Sequence, residues 1–205
     1  GNASKKPKTK VSQTKPEVLV KYKETDQTHF ILGVRAFDLF DKRNVKASML
    51  ASVLGAGMSS RLFQKLREEM GVAYYVRAYN NPSLDHGSFQ ISAGVNNDRG
   101  EEVIKEIIKE GNELKNNKIS KTELDKVKSF LVGNMKMSLE ATDDIANFYG
   151  GQEVLKKEIK TLEDKIKEIK SVTEKDIKEM AKILFKTINL NLAIIGPFKD
   201  SEKFK

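Results

Sequence analysis

The sequence predicts an α+β fold, a largely antiparallel sheet with helices packed on one face. Three observations carry this. Strand-like runs rich in β-branched and aromatic residues gather in the first half of the 205-residue chain. Helical spacing dominates the second half. Strands and helices come in runs rather than in strict alternation, which separates this pattern from a doubly wound parallel sheet. The strands also differ in how apolar they are, so a sheet covered by helices on one side leaves its second face available to something else.

The elements follow in order. Val18, Leu19, Val20 and Tyr22 begin a strand, and HFILGVRAF (29–37) is apolar enough for a central one. VKASMLASVL (45–54) has helical spacing and stops at Gly55 and Gly57. SSRLFQKLREE (59–69) is a second helix, with Ser59 or Ser60 placed to cap it, and Gly71 ends it. Residues 72–79 and 87–95 read as strands, and Asn80-Asn81-Pro82-Ser83 has turn chemistry. The two form an antiparallel hairpin with a long loop. Val103, Ile104, Ile107, Ile108, Gly111 and Leu114 make one helical stripe. Ser120 and Glu123 form a capping box with Ile119 and Leu124 as its hydrophobic staple, and Thr173, Asp176, Val172 and Ile177 repeat the device. LNLAII (190–195) closes the domain as a last strand before Gly196-Pro197.

Residues 1–16 lack apolar content and read as a flexible basic tail or linker, leaving 17–205 as a single α+β domain. The chain opens on Gly1, and Gly1-Asn2-Ala3 reads as an expression scar. The formal charge of +8 is mostly tail: removing Lys5, Lys6, Lys8, Lys10 and Lys15 leaves +3. The other lysines alternate with acids along helices, the pattern of a solvated face. This argues against nucleic acid as a partner, because such binding needs a clustered basic surface. No apolar run reaches the length of a membrane span. With no cysteine, disulfides and thiolate metal sites are excluded.

Most catalytic constellations are absent from the sequence. His29 and His86 are its only histidines and neither has a carboxylate at helix spacing; H-E-x-x-H and H-x-x-E-H do not occur. His29 reads as a strand-end residue and His86 as a turn residue. Glu68-Glu69 reads as a solvated helix end, and Gly55-Ala56-Gly57 lacks the Lys-Ser/Thr of a phosphate loop.

One segment is more specific. LGAGMSSRLFQKLREEMGVAYYV (54–76) resembles the signature of the second domain in the insulinase/pitrilysin superfamily of zinc peptidases, especially its processing peptidase-like branch. The strand entry Gln27-Thr28-His29, GSFQISAGV, the helix pair around 101–137, VTEKDIKEMAKILF (172–185) and LNLAIIGP (190–197) fall in the same order. The resemblance covers roughly residues 17–198. It implies one half of a clamshell metallopeptidase whose two similar α+β halves close around a peptide. The first half carries H-x-x-E-H, and with it the zinc. The second supplies an Arg and a Tyr seven residues apart that reach to substrate, and these match Arg67 and Tyr74. The residue after that tyrosine is usually small in the family; here it is Tyr75. By spacing alone, Arg67 would merely cap its helix and Tyr74 would be an ordinary strand aromatic.

The implied function is the substrate-binding half of a zinc metalloendopeptidase, inactive by itself, with no metal or cofactor of its own. Its partners are the N-terminal zinc-binding half or a homologous subunit, a peptide substrate, and for a lone fragment a second copy of itself. The alternatives are a non-catalytic scaffold or substrate-binding subunit of the same superfamily, and an unrelated α+β binding module with a basic anchoring tail. The basic excess gives one expectation about substrate, a preference for acidic peptides.

Overall fold

The apolar run HFILGVRAF becomes the middle of a five-stranded sheet. In the computed structural model, residues 7, 9–156 and 158–204 are described; Gly1-Asn2-Ala3 and Lys5, Lys6 and Lys8 of the expected tail lie outside them. The strands are β1 (Glu17–Tyr22), β2 (Gln27–Ala36), β3 (Ala73–Pro82), β4 (Gly87–Asn96) and β5 (Asn191–Gly196). Their order across the sheet is β1-β5-β2-β4-β3. Only β1 and β5 run parallel; every other neighbouring pair is antiparallel. The expected sheet is therefore the observed one.

Alternation decides what each face shows. Phe30, Leu32 and Val34 of β2 point to one side with Phe89, Ile91 and Ala93 of β4 and Leu192 and Ile194 of β5, and all are buried. The helices cover that side: α1 (Asn44–Gly55), α2 (Gly100–Asn116), α3 (Lys121–Met137), α5 (Leu162–Ser171) and α6 (Glu174–Leu184). Here α1 packs on β3, and α2 and α6 lie on β4 and β2. The other face holds Leu19, His29, Ile31, Arg35, Arg77, Tyr79 and Ile195, all exposed. The helix α4 (Thr142–Leu155) stands apart, exposed along nearly all its length. Its one buried residue, Gln152, bonds the Phe148 carbonyl and both backbone groups of Lys160.

Local signals in the sequence translate directly into helix ends. Thr173 and Asp176 form a complete capping box, with Val172 and Ile177 buried as the staple. Thr161 and Asp164 form a second complete box that sequence reading passed over. At α3 only half the box forms. The Ser120 hydroxyl accepts from Glu123 N–H at 3.1 Å, while the Glu123 carboxylate turns to Arg61 instead. Gly55 ends α1 against β3 so closely that a Cβ there would lie 2.4 Å from Ala78 N, and Gly57 takes φ +79° in the turn that follows.

The hairpin differs from expectation. Asn80 to Pro82 are not the turn but the end of β3, and the loop is the short Ser83–His86 turn closed by Ser83 N–H donating to His86 O at 2.7 Å. Their turn propensity is overridden by side-chain pairing, Asn80 to Asn44 and Asn81 to Gln90. Pro82 is tolerated because β3 is an edge strand.

Two outcomes test this packing. Gly55→Ala forces α1 off β3 and lowers stability by about 1–3 kcal/mol in urea unfolding. Asp176 is the second. Burial raises its carboxyl pKa, but the Lys46 ammonium and the Thr173 donors outweigh that and hold it below the usual range. A carboxyl depressed in the fold stabilises above its unfolded pKa and loses that contribution as pH falls through the folded value. Asp176→Asn therefore costs about 1 kcal/mol near neutral pH, and its difference from wild type narrows below about pH 4.

Candidate functional site

The segment between α1 and β3 carries both residues singled out by the sequence. It starts helically at Arg61 and then widens into a π-helix over Phe63–Glu69. Met70 N–H reaches the Lys65 carbonyl at 3.1 Å and Val72 N–H the Leu66 carbonyl at 3.0 Å. Ser60 precedes this helix, yet its hydroxyl donates back to Gly57 O at 2.8 Å and does not cap it. Leu62 and Leu66 are fully buried, which fixes the segment against the core and leaves Arg67 at the surface. Gly71, at φ +63°, turns the chain into β3.

β3 opens with a bulge. Ala73 pairs with Val95 and Tyr75 with Gly94, so Tyr74 is an extra residue without a partner in the ladder. A bulge re-aims side chains, since two residues on one strand oppose one on the other. Tyr74 is 48% exposed. Its carbonyl accepts from Arg67 Nη1, and the Arg67 guanidinium also lies over the Phe63 ring, 5.6 Å from its centre. The seven-residue spacing is thus a direct contact, through the main chain of Tyr74. It occupies one arm of the guanidinium fork, while the Tyr74 phenol forms no hydrogen bond among the described residues.

Tyr75 goes elsewhere. Its ring crosses Gly94 and stacks on His29 of β2, with centroids 5.9 Å apart and planes 24° apart, and its hydroxyl meets His29 Nδ1 at 3.2 Å. Gly94 is required for this, because a Cβ would lie 2.5 Å from the Tyr75 ring. Burial pushes the Tyr75 phenol up, Tyr79 adds to the rise, and Arg77 opposes it. Tyr75, Arg77 and Tyr79 therefore share one face of β3, with Ser92 of β4 opposite Arg77. Sequence reading assigned His29 only a strand position. Period-two alternation after residue 74 was the available signal for this grouping, but it needed the bulge to place it.

Further along the same face, a shallow groove of about 610 Å³ runs over β1, β5, β2 and β4, lined by Leu19, Ile31, Arg35, Ser88, Gln90 and Ala193. It does not include Arg67 or Tyr74. Among the described residues, no three His, Cys, Asp or Glu side chains converge as metal ligands. His29 is engaged by Tyr75, and His86 by Asp85 at 2.8 Å. The described residues therefore do not provide a zinc site. No helix of the described residues is long and apolar enough to cross a membrane. Glu68 and Glu69 lie exposed at the helix end, Glu69 paired with Lys65.

Behind the site, Arg61 is the anchor. Its guanidinium holds Glu123 of α3 through Nε at 2.7 Å and Nη2 at 3.0 Å, and approaches Glu110 of α2 at 3.5 Å. The Glu123 hydrogen bond raises the Arg61 pKa, burial lowers it, and both carboxylates add to the rise.

Comparison with known proteins decides the family. The family model described as the peptidase M16 inactive domain matches residues 1–131. The chain belongs to the M16 peptidase family. Relatives include "Uncharacterized zinc protease YmxG" of Bacillus subtilis, 34% identical over 181 residues, covering 88% of this chain and 44% of the relative. An uncharacterized zinc protease of Streptomyces coelicolor is 32% identical over 180 residues, covering 88% of this chain and 39% of its own length. The M16 chain thus spans less than half the length of these relatives. Its fold is that of a protease from Helicobacter pylori, with a TM-score of 0.82 at 24% identity over 89% of this chain and 45% of that one. The peptidase M16 inactive domain from Pseudomonas fluorescens gives 0.82 at 22% identity, over 91% and 45%. The family expected from residues 54–76 is the family found, and the chain corresponds to its inactive domain.

The anchor yields a prediction. Arg61→Ala leaves two partly buried carboxylates facing each other and lowers stability by about 1.5–3 kcal/mol. A double-mutant cycle with Glu123→Gln should show coupling of about 1 kcal/mol or more in urea unfolding.

Proposed function

We propose that this M16 domain is the substrate-binding half of a zinc metalloendopeptidase, with Arg67 and Tyr74 acting on the peptide. The bulge at Tyr74 carries the reading. It turns a phenol outward at the start of an edge strand and sets Arg67 beside the same residue. Peptide hydrolysis passes through a tetrahedral oxyanion, and a fixed O–H donor aimed at that oxygen stabilises it in a site cleared of water. Tyr74 can donate there without bringing charge. Arg67 holds the Tyr74 carbonyl, and so fixes the backbone from which the phenol projects. The remaining arm of its fork suits a substrate carbonyl.

Zinc belongs to the other half, where it would polarise the scissile carbonyl and generate the attacking hydroxide. That half, whether on the same polypeptide or on a homologous subunit, has two surfaces to cover here. One is the open sheet face with exposed Leu19, Ile31 and Ile195. The other is α4, with Ile145, Tyr149, Val154 and Leu155 in water. Exposed apolar area of this kind marks interaction surfaces.

The test uses the complete parent protein and an unstructured peptide. Cleavage should stop with chelator, and Tyr74→Phe and Arg67→Ala should each lower kcat by about 10²-fold or more. Chelator-sensitive cleavage that ignores both variants removes these residues from the site. Absence of both cleavage and bound zinc would instead identify a non-catalytic substrate-binding subunit.

A further inference from the structure

Among the described residues, ion pairs lie on the helical side and in the turns, as in Lys46–Asp176, Arg61–Glu123, Lys105–Glu101 and Lys160–Glu168. The open face of the sheet is built differently. Lys21 of β1, Arg35 of β2 and Arg77 of β3 project from it, with Arg67 at its edge, and among the described residues none of the four forms an ion pair. In the strand rows of that face Glu17 is the only carboxylate among the described residues, at the far corner from β3. By sequence, most of the basic excess falls in the tail; this unpaired set of cations lies on the sheet instead.

Arg77 is the best placed of these cations. Its row across the sheet reads Leu19, Ala193, Ile31, Ser92, Arg77, so no neighbour in the row carries an acid to satisfy it. One residue pair along β3, the Tyr75 hydroxyl is held in place by His29 and lies within electrostatic reach of the Arg77 guanidinium. Tyr74 begins the same strand. A planar guanidinium fork binds a carboxylate through two parallel hydrogen bonds, and a neighbouring phenol adds a further donor.

We propose that Arg77, with the Tyr75 hydroxyl beside it, is a specificity-determining site for an acidic side chain of the peptide held at Tyr74. The proposal rests on the reading of this chain as a substrate-binding half. It gives the substrate class, peptides with Asp or Glu close to the bound bond. The extended geometry of β3 sets the scale, since same-face residues on a strand are about 7 Å apart, so the acid lies within a few residues of that bond.

The experiment uses the complete parent protein at low salt. Quenched peptides differ only by Glu or Gln at one position, moved stepwise to either side of the cleaved bond, and kcat/KM is compared within each pair. At one position the Glu peptide should be favoured by about tenfold, and Arg77→Gln should bring the ratio close to one. Tyr75→Phe, which keeps the ring over Gly94, should lower it a few fold; an unchanged ratio removes Tyr75 from the site. Lys105→Gln, on the helical side, leaves the ratio at its wild-type value. A wild-type ratio within twofold of one at every position, or a preference that survives Arg77→Gln, overturns the proposal. If the parent does not cleave, the same ratio is read as Kd by fluorescence anisotropy with the same two outcomes. A charge preference lost in Arg77→Gln but cleavage indifferent to Tyr74→Phe would separate this site from the role given to Tyr74.

Discussion

A sheet with helices on one side only is the constraint from which the rest of this structure follows. Every large aliphatic side chain of β2, β4 and β5 that can reach the helical layer does so, and the burial of Phe30, Leu32, Phe89, Ile91 and Ile194 supplies the core. Strand alternation then dictates that the intervening residues face away. They are small, polar or cationic for the most part: Gly33, Ser88, Gln90, Ser92, Gly94 and Arg35, with Arg77 of β3 beside them. The helical layer therefore stabilises the fold while the opposite surface stays open, and the cations of that surface have no ion-pair partner among the described residues.

Against this regularity the bulge at Tyr74 is the departure on which the proposed site rests. Strict alternation would group Tyr74 with Val76 and Ala78, both buried against α1. One unpaired residue shifts the phase, so that Val76 still turns inward while Tyr74 and Tyr75 are both released. They then separate by chemistry. Tyr75 finds an aromatic partner and a hydrogen bond in His29, and Tyr74 is left exposed with its carbonyl held by Arg67. The wide π-helix just upstream carries Arg67, and Arg61 pins its start to α2 and α3.

What was legible in the sequence was what local chemistry writes. The capping box at Thr173, the staple at Ile119 and Leu124, the helix stop at Gly55 and the strand HFILGVRAF all depend on residues within a few positions of one another. The signature around 54–76 gave the family and pointed to Arg67 and Tyr74. The illegible parts depend on distant partners. Glu123 gives up half its capping box for Arg61, 62 residues away. Asn80 and Asn81 look like a turn because their amides so often serve there, and they become strand because those amides instead bond Asn44 and Gln90. The parallel pairing of β1 with β5 joins the two ends of the domain, and no local pattern encodes it. A bulge, finally, is a change of phase, which period-two counting does not register until one strand is laid against another.

Gly94 connects the two tyrosines across the sheet. It lacks a side chain at the one place where the Tyr75 ring must cross β4 to reach His29. The two positions are therefore coupled: a side chain at 94 would meet the Tyr75 ring and the His29 imidazole together, and would push apart the contact that keeps Tyr75 turned away from its neighbour Tyr74. Residue 94, on a different strand, thus sets how far two adjacent tyrosines diverge.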